Sequence, residues 1–285
     1  MRRVFLALVV VMASAGCPSL GTLFSDRGDL EIVYDLPYID DDSGTHRLDL
    51  YSPVGAADDV PVVVFIHGGY WAEQDKQYFE STTGLYGNVG VALTRHGVRV
   101  ANCNYRLHPE VKIPGMLDDV AAATAFIRAK FPSAPVVLMG HSAGAHLASA
   151  AAVLEGGPKV EVDALVLVSG VYDIEQAVRF DSPDNRAKYL FPLFGDTPEE
   201  QAKASTLSAL LTTSIPVLVA AGSVDLGGVR ADFRSIRDAR SDVVGGGFAV
   251  EVQGAEHADT ALQFAGEQDR VTPAIVEMFK AIGLL

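Results

Sequence analysis

Val136-Val137-Leu138-Met139-Gly140-His141-Ser142-Ala143-Gly144-Ala145-His146-Leu147 is the stretch that decides the fold. Four apolar β-formers run straight into Gly-x-Ser-x-Gly, and an Ala-rich helical pattern (143–154) follows. The flanking glycines suit a turn so sharp that strand and helix leave no room for side chains. Such a strand–turn–helix unit pushes a serine hydroxyl out of the backbone, where it can act as a nucleophile. The bare pattern carries little weight; the context makes Ser142 the candidate nucleophile rather than a helix cap.

Outward from this turn, candidate strands fall at 30–36, 46–51, 60–66, 98–104, 136–139, 164–169, 217–221 and 248–252. The later ones are unbroken Val/Leu/Ile runs, as in central parallel strands covered on both faces. Helical patterns lie at 114–130, 143–154, 227–240 and within 260–282. The alternation predicts an α/β protein, with helices on both faces of a mostly parallel sheet of about eight strands. Residues 171–215 break the rhythm with no strand pattern, yet carry Tyr172, Phe180, Tyr189, Phe191 and Phe194. An aromatic-rich insertion of this length predicts a small cap over one end of the sheet.

Composition sets the outer bounds. With 285 residues, 49% hydrophobic and 20% charged, the chain can bury a two-sided sheet core as one domain over 29–285. A net charge of −14, with no Lys/Arg run, argues against nucleic acid as a partner. Met1-Arg2-Arg3, the apolar run 4–13 and the small residues before Cys17 predict a signal peptide over 1–16 and a Gly/Ser-rich tether over 17–28. Gly16-Cys17 is similar to a lipoprotein cleavage site, so a lipidated Cys17 would tie an exported chain to a bacterial membrane. A cut near Ala15, freeing the chain into periplasm or medium, is the competing reading. Cys103 lies in a strand pattern and reads as a buried thiol. No spacing of Cys or His suggests a metal.

The chemistry needs further groups. Strand 60–66 ends in His67-Gly68-Gly69-Tyr70-Trp71, where glycines let backbone N–H groups approach a developing oxyanion. The N–H groups of Gly69, Tyr70 and Ala143 are the candidate oxyanion hole; Gly68 is a weaker candidate, and His67 reads as a structural anchor. Beyond the turn only two histidines remain, His146 and His257. His146 sits one helical turn past Ser142 and cannot easily reach back, so His257, in a loop after the last strand, is the candidate base. For the orienting carboxylate, Asp225 at the end of strand 217–221 is preferred and Asp173 is the rival. Trp71, Tyr172, Phe191 and Phe194 are candidate pocket walls.

At these residues the chain resembles the α/β-hydrolase superfamily, specifically its carboxylesterase branch near the kynurenine formamidases and the hormone-sensitive-lipase-like esterases. His67-Gly68-Gly69-Tyr70-Trp71 is similar to the formamidase H-G-G-x-W motif. Asn104-Tyr105-Arg106-Leu107-His108-Pro109-Glu110 is similar to a segment of both groups, as is Ser169-Gly170-Val171-Tyr172-Asp173. Gly140 to Leu147 matches the nucleophile turn. Tyr70 stands where the lipase-like branch has a third glycine. The resemblance implies the α/β-hydrolase fold, a Ser-Asp-His triad, no cofactor and a small ester or amide as substrate. Kynurenine formamidases are usually cytosolic. Export therefore favours a general carboxylic-ester hydrolase, with arylformamidase as the alternative and a catalytically silent hydrolase-fold surface protein as the third reading.

Overall fold

A computed structural model describes residues 30–78, 84–240 and 248–285. The expected signal peptide, tether and Cys17 lie outside the described residues. The strands are β1 (Leu30–Pro37), β2 (Arg47–Pro53), β3 (Val62–Ile66), β4 (Arg99–Cys103), β5 (Val136–His141), β6 (Ala164–Val168), β7 (Val217–Gly222) and β8 (Ala249–Val252). They form one sheet in the order β1-β2-β4-β3-β5-β6-β7-β8. The β1–β2 and β2–β4 pairs are antiparallel, and β4 through β8 are parallel.

The pleat sorts the apolar runs onto two cores. Val62, Val64 and Ile66 of β3 face one core, with α2 (Ile113–Lys130), α3 (Ala143–Val153) and α9 (Gly227–Ala239). Val63 and Phe65 face the other, with α1 (Gly87–Thr94) and α11 (Val271–Ala281). All five β3 side chains are buried, and each such apolar side chain contributes about 1.5–3 kcal/mol of burial free energy. This explains why unbroken hydrophobic runs, rather than alternating ones, mark the centre of the sheet.

Helix α1 escapes sequence reading. It contains Gly87, Gly90 and two valines, all poor helix formers, and every one of its residues is buried. Its helical state is imposed by packing: a Cβ on Gly90 would lie 2.5 Å from the Tyr51 ring. The helical stretch expected within 260–282 divides into α10 (Asp259–Leu262) and α11. Asp269 ends the gap by accepting from the backbone N–H groups of Val271 (3.0 Å) and Thr272 (2.9 Å), two orphan donors of α11.

Between β6 and β7 the described chain makes no strand. It winds through α4 (Ile174–Phe180), α5 (Pro183–Asn185), a π-helical turn (Arg186–Leu190), α6 (Phe191–Phe194), α7 (Pro198–Ala202) and α8 (Leu207–Thr212). Thr197 and Glu200 form a reciprocal capping box at α7. The sheet order also fixes where a site can form. From β3 the chain crosses to β4 on one side, and from β5 it crosses to β6 on the other. The loops leaving these two adjacent strands therefore diverge, and a crevice opens at their carboxyl ends, over which this cap segment lies.

Candidate active site

Ser142 stands at that crevice. Its backbone (φ 56°, ψ −120°) lies outside the ordinary wells for an L-residue, a strain of order 1–3 kcal/mol that persists only where surrounding structure enforces it. The enforcement is visible. A Cβ on Gly140 would lie 2.3 Å from the Gly144 carbonyl carbon, and one on Gly144 would lie 2.0 Å from the Ile66 oxygen and 2.4 Å from that of His67. Only glycine fits, and the first turn of α3 is pressed against the His67-Gly68 loop.

The structure brings Ser142, His257 and Asp225 together. The His257 Nε2 atom lies 2.8 Å from the Ser142 Oγ, and its Nδ1 lies 2.7 Å from Asp225 Oδ1. The Asp225 carboxylate also accepts from the Leu226 N–H (2.7 Å), the Ser169 hydroxyl (2.6 Å) and the Gly222 N–H (3.2 Å). Burial opposes its ionisation. The hydrogen bond and charge of His257, followed by the hydrogen bonds of Ser169 and Leu226, outweigh burial and hold the carboxyl below the usual range. Asp173 is elsewhere: its side chain caps α4, accepting from the Gln176 N–H at 3.1 Å. A serine hydroxyl, an imidazole and a buried carboxylate in series can generate an alkoxide-like nucleophile at neutral pH.

The oxyanion candidates separate in the same way. The Gly68 N–H donates to the Tyr86 hydroxyl (3.1 Å). Among the described residues, no protein group accepts from the N–H groups of Gly69, Tyr70 or Ala143. Gly69 has φ 109°, and a Cβ there would lie 2.0 Å from the Glu73 carbonyl oxygen.

Three other histidines surround the site without joining the relay. His67 is held by the Gly68 carbonyl (2.7 Å) and stacks on Tyr105 at 4.5 Å. His146 accepts from the Trp71 indole N–H (3.2 Å) and lies 2.9 Å from the Ala204 carbonyl. The His141 Nε2 lies 3.1 Å from the backbone carbonyl of His257. Burial pushes His67 and His146 down to about 4 and His141 to about 3, so all three are neutral near pH 7. His46, away from the relay, is hydrogen-bonded to both Asp41 and Asp119.

Sequence reasoning missed three supporting groups. The Ser169 hydroxyl, besides bonding Asp225, lies 2.7 Å from that of Thr260, and Thr260 donates to the His257 carbonyl (2.9 Å). The Tyr86 hydroxyl accepts from Gly68 and lies 3.3 Å from the His141 Nδ1. Only Ser169 had a signal, its place in the Ser-Gly-x-Tyr-Asp segment. Of the expected pocket walls, Trp71 and Tyr172 are 2% exposed and Phe194 is 4%, so these rings are packed in the apolar core that cap and sheet share. Large rings seek full burial, and nothing in sequence distinguishes a lining ring from a packed one. Phe191 remains partly exposed.

Fold and site geometry together define a protein of the α/β-hydrolase superfamily, on its carboxylesterase and formamidase side. The chain belongs to the BD-FAE family, whose model matches residues 48–227. Kynurenine formamidase of Danio rerio is 30% identical over 155 residues, covering 52% of this chain and 49% of the relative. The chain thus spans about half the length of the formamidases it matches. The isoprenylcysteine alpha-carbonyl methylesterase of Arabidopsis thaliana is 28% identical over 286 residues, 90% of this chain and 63% of that one. Among solved structures, esterase B from Lactobacillus rhamnosis superposes with a TM-score of 0.71 at 18% identity, covering 99% of this chain and 96% of that one. A truncated carbohydrate esterase from gut microbiota gives 0.70 at 18%, covering 89% and 96%. At that identity these structures speak for the fold alone.

Proposed function

We propose that this chain is a serine hydrolase that cleaves carboxylic esters through an acyl-enzyme. The observation that carries the reading is the relay of 2.8 Å and 2.7 Å from Ser142 through His257 to Asp225. The Ser142 Oγ attacks the acyl carbon while the His257 Nε2 takes its proton. The N–H groups of Gly69, Tyr70 and Ala143 hold the tetrahedral oxyanion, prepaid in geometry and so without reorganisation cost. The imidazolium, stabilised by Asp225, then protonates the leaving alkoxide. Water attacks the acyl-enzyme with His257 again as base. The exposed side chains of Phe180, Val224 and Leu226 flank the Asp225 loop, and the Phe180 ring packs on Gly227. These exposed apolar side chains next to Asp225 fit an ester whose alcohol or aryl part is itself apolar.

Turnover of p-nitrophenyl acetate tests the reading. Ser142→Ala is expected to lower kcat by about four orders of magnitude, as for other triad knock-outs, and to abolish labelling by a fluorophosphonate. Near wild-type turnover, or labelling that survives the substitution, sinks the assignment. The similarity to kynurenine formamidase over half the chain favours one second reading, cleavage of an N-aryl formamide by the same groups. A higher kcat/KM on N-formylkynurenine than on aryl acetates selects it. We also propose export, on the basic start and apolar run of residues 1–13. The mass of the mature N-terminus decides between an acylated Cys17 and a cut near Ala15.

A further inference from the structure

The loop that carries the candidate oxyanion donors has an unfavourable backbone shape. Gly69, Tyr70 and Trp71 have consecutive φ values of 109°, 52° and 58°. Glycine adopts such values freely, but two large aromatic residues do not. Something must hold Tyr70 and Trp71 there, and each side chain is in fact anchored.

The Tyr70 hydroxyl donates to Asp181 Oδ2 (3.1 Å) and accepts from the Asn185 amide (3.2 Å), and its ring stacks on Tyr189 at 4.7 Å. All three partners belong to the segment between β6 and β7. A second strut runs beside it, from Lys188 and the Tyr189 hydroxyl to the Glu73 carboxylate. The Trp71 indole donates to His146, packs edge-on against Phe194 at 4.9 Å, and reaches the cap again through the His146 contact with the Ala204 carbonyl. Both strained residues thus end on the cap, by separate routes. The carbonyls of the loop are held locally, that of Trp71 by the His108 N–H (2.9 Å) and that of Gly69 by the Ala72 and Glu73 N–H groups (3.0 and 2.9 Å), while the Gly69 and Tyr70 N–H groups have no protein acceptor among the described residues.

We infer that the Tyr70 phenol is a positioning group for the oxyanion hole: through Asp181 and Tyr189 the cap clamps residues 69–71 in the conformation that aims their N–H groups at the reacting carbonyl oxygen. This rests on the ester-hydrolase reading of the preceding section. It assigns the cap a catalytic consequence that does not depend on its touching substrate. It also explains why a tyrosine can occupy a position that geometry would otherwise reserve for glycine. Because the donors matter only once negative charge develops on the oxygen, a loosened clamp acts on kcat more than on KM.

The test is a double-mutant cycle of Tyr70→Phe and Asp181→Ala, read on p-nitrophenyl acetate and on an aryl trifluoromethyl ketone. The ketone adds to the serine and places an oxyanion in the hole without turnover. Each single variant is expected to lower kcat about 5- to 20-fold with KM changed less than twofold, and to weaken the ketone by a similar factor. The double variant is expected to be no worse than about the larger single, because both remove one strut. Tyr70→Phe keeps the ring stack and its burial, so it decides the question if Asp181→Ala fails to fold. An active wild type whose Tyr70→Phe variant matches it in kcat and in ketone affinity overturns the clamp. A rise in KM alone, with kcat intact, also overturns it. A wild type that hydrolyses no ester overturns the functional reading, and the clamp with it.

Discussion

Replacing Asp225 by Asn separates two things a carboxylate can do for an imidazole: hold its tautomer and stabilise its charge. The carboxylate accepts four hydrogen bonds, two on each oxygen, from His257 and Leu226 on Oδ1 and from Ser169 and Gly222 on Oδ2. An amide has one acceptor end. If its oxygen takes the Oδ1 position, the bonds from His257 Nδ1 and Leu226 survive. The amide nitrogen then meets the Ser169 hydroxyl, which can turn its proton to Thr260, 2.7 Å away, and accept instead. Only the Gly222 N–H, already long at 3.2 Å, faces another donor. This orientation wins, and the tautomer is kept. What is lost is charge. A unit pair at about 4 Å is worth about 4 kcal/mol at an effective dielectric of 20, and the amide dipole returns part of that. A net loss of about 3–4 kcal/mol in the transition state is a kcat reduction of about 100- to 1000-fold. Asp225→Ala, which also frees the ring, should lose about 10⁴-fold, the scale of triad disruption that misorients the base. Asp173→Asn, a capping residue, should stay within about twofold of wild type. The assay is steady-state hydrolysis of p-nitrophenyl acetate, with folding checked by circular dichroism. Asp225→Asn within fivefold of wild type refutes the charge argument. A larger loss at Asp173 than at Asp225 refutes the assignment of the acid, and equal losses in Asp225→Asn and Asp225→Ala refute the kept tautomer.

The buried histidines give a pH dependence of known sign. His67, His141 and His146 have depressed native values, so the unfolded chain binds more protons than the native one from about pH 6.5 downward. Their contribution is complete above pH 6.5 and is lost as pH falls towards 4; by pH 5 the loss is about 2 kcal/mol per histidine. Thermal melts from pH 8 to 5 should show Tm falling, and His146→Gln should fall less; a flat profile refutes the burial argument. Asp232 acts oppositely. Burial raises its carboxyl to about 6, against hydrogen bonds from the Asp173 and Tyr172 N–H groups and the Gln176 amide. Native Asp232 therefore holds its proton longer than the unfolded chain does, and stability is lost as pH rises from about 4 through 6. One such group cannot cancel three histidines, so the net trend remains a loss on acidification. Asp232→Asn should raise Tm at pH 8 and lose that advantage near pH 4; an advantage that persists unchanged at pH 4 would show the gain is not electrostatic.

What the sequence makes legible follows from the range of each interaction. The central strands declare themselves because burial on both faces demands apolar runs, a local signal. The turn at Ser142 does so because its glycines answer contacts that tolerate no Cβ, and His257 because so few histidines follow it. Asp225 and Asp173 could be ranked only by position, since both follow strands. The structure separates them by what their oxygens touch. Helix α1 stayed hidden because its helical state belongs to Tyr51 and the surrounding core more than to its own residues.

The pocket aromatics and the clamp show the other side of the same rule. Trp71, Tyr172 and Phe194 read as pocket walls because they cluster near the chemistry, yet their area is worth more in the core. Conversely, Asp181 and Asn185 look in sequence like ordinary turn residues. Their partner is the Tyr70 hydroxyl, 111 and 115 positions away, and no local pattern could mark them. The Tyr70 position was legible only as a departure, a large residue where the lipase-like branch has a third glycine. A glycine can reach the required backbone conformation unaided. A tyrosine needs an external hold, and the hold on the Tyr70 side chain here comes from the cap. The departure and the cap therefore belong together: with Tyr70 in place of a glycine, the shape of this loop draws on contacts to the segment between β6 and β7.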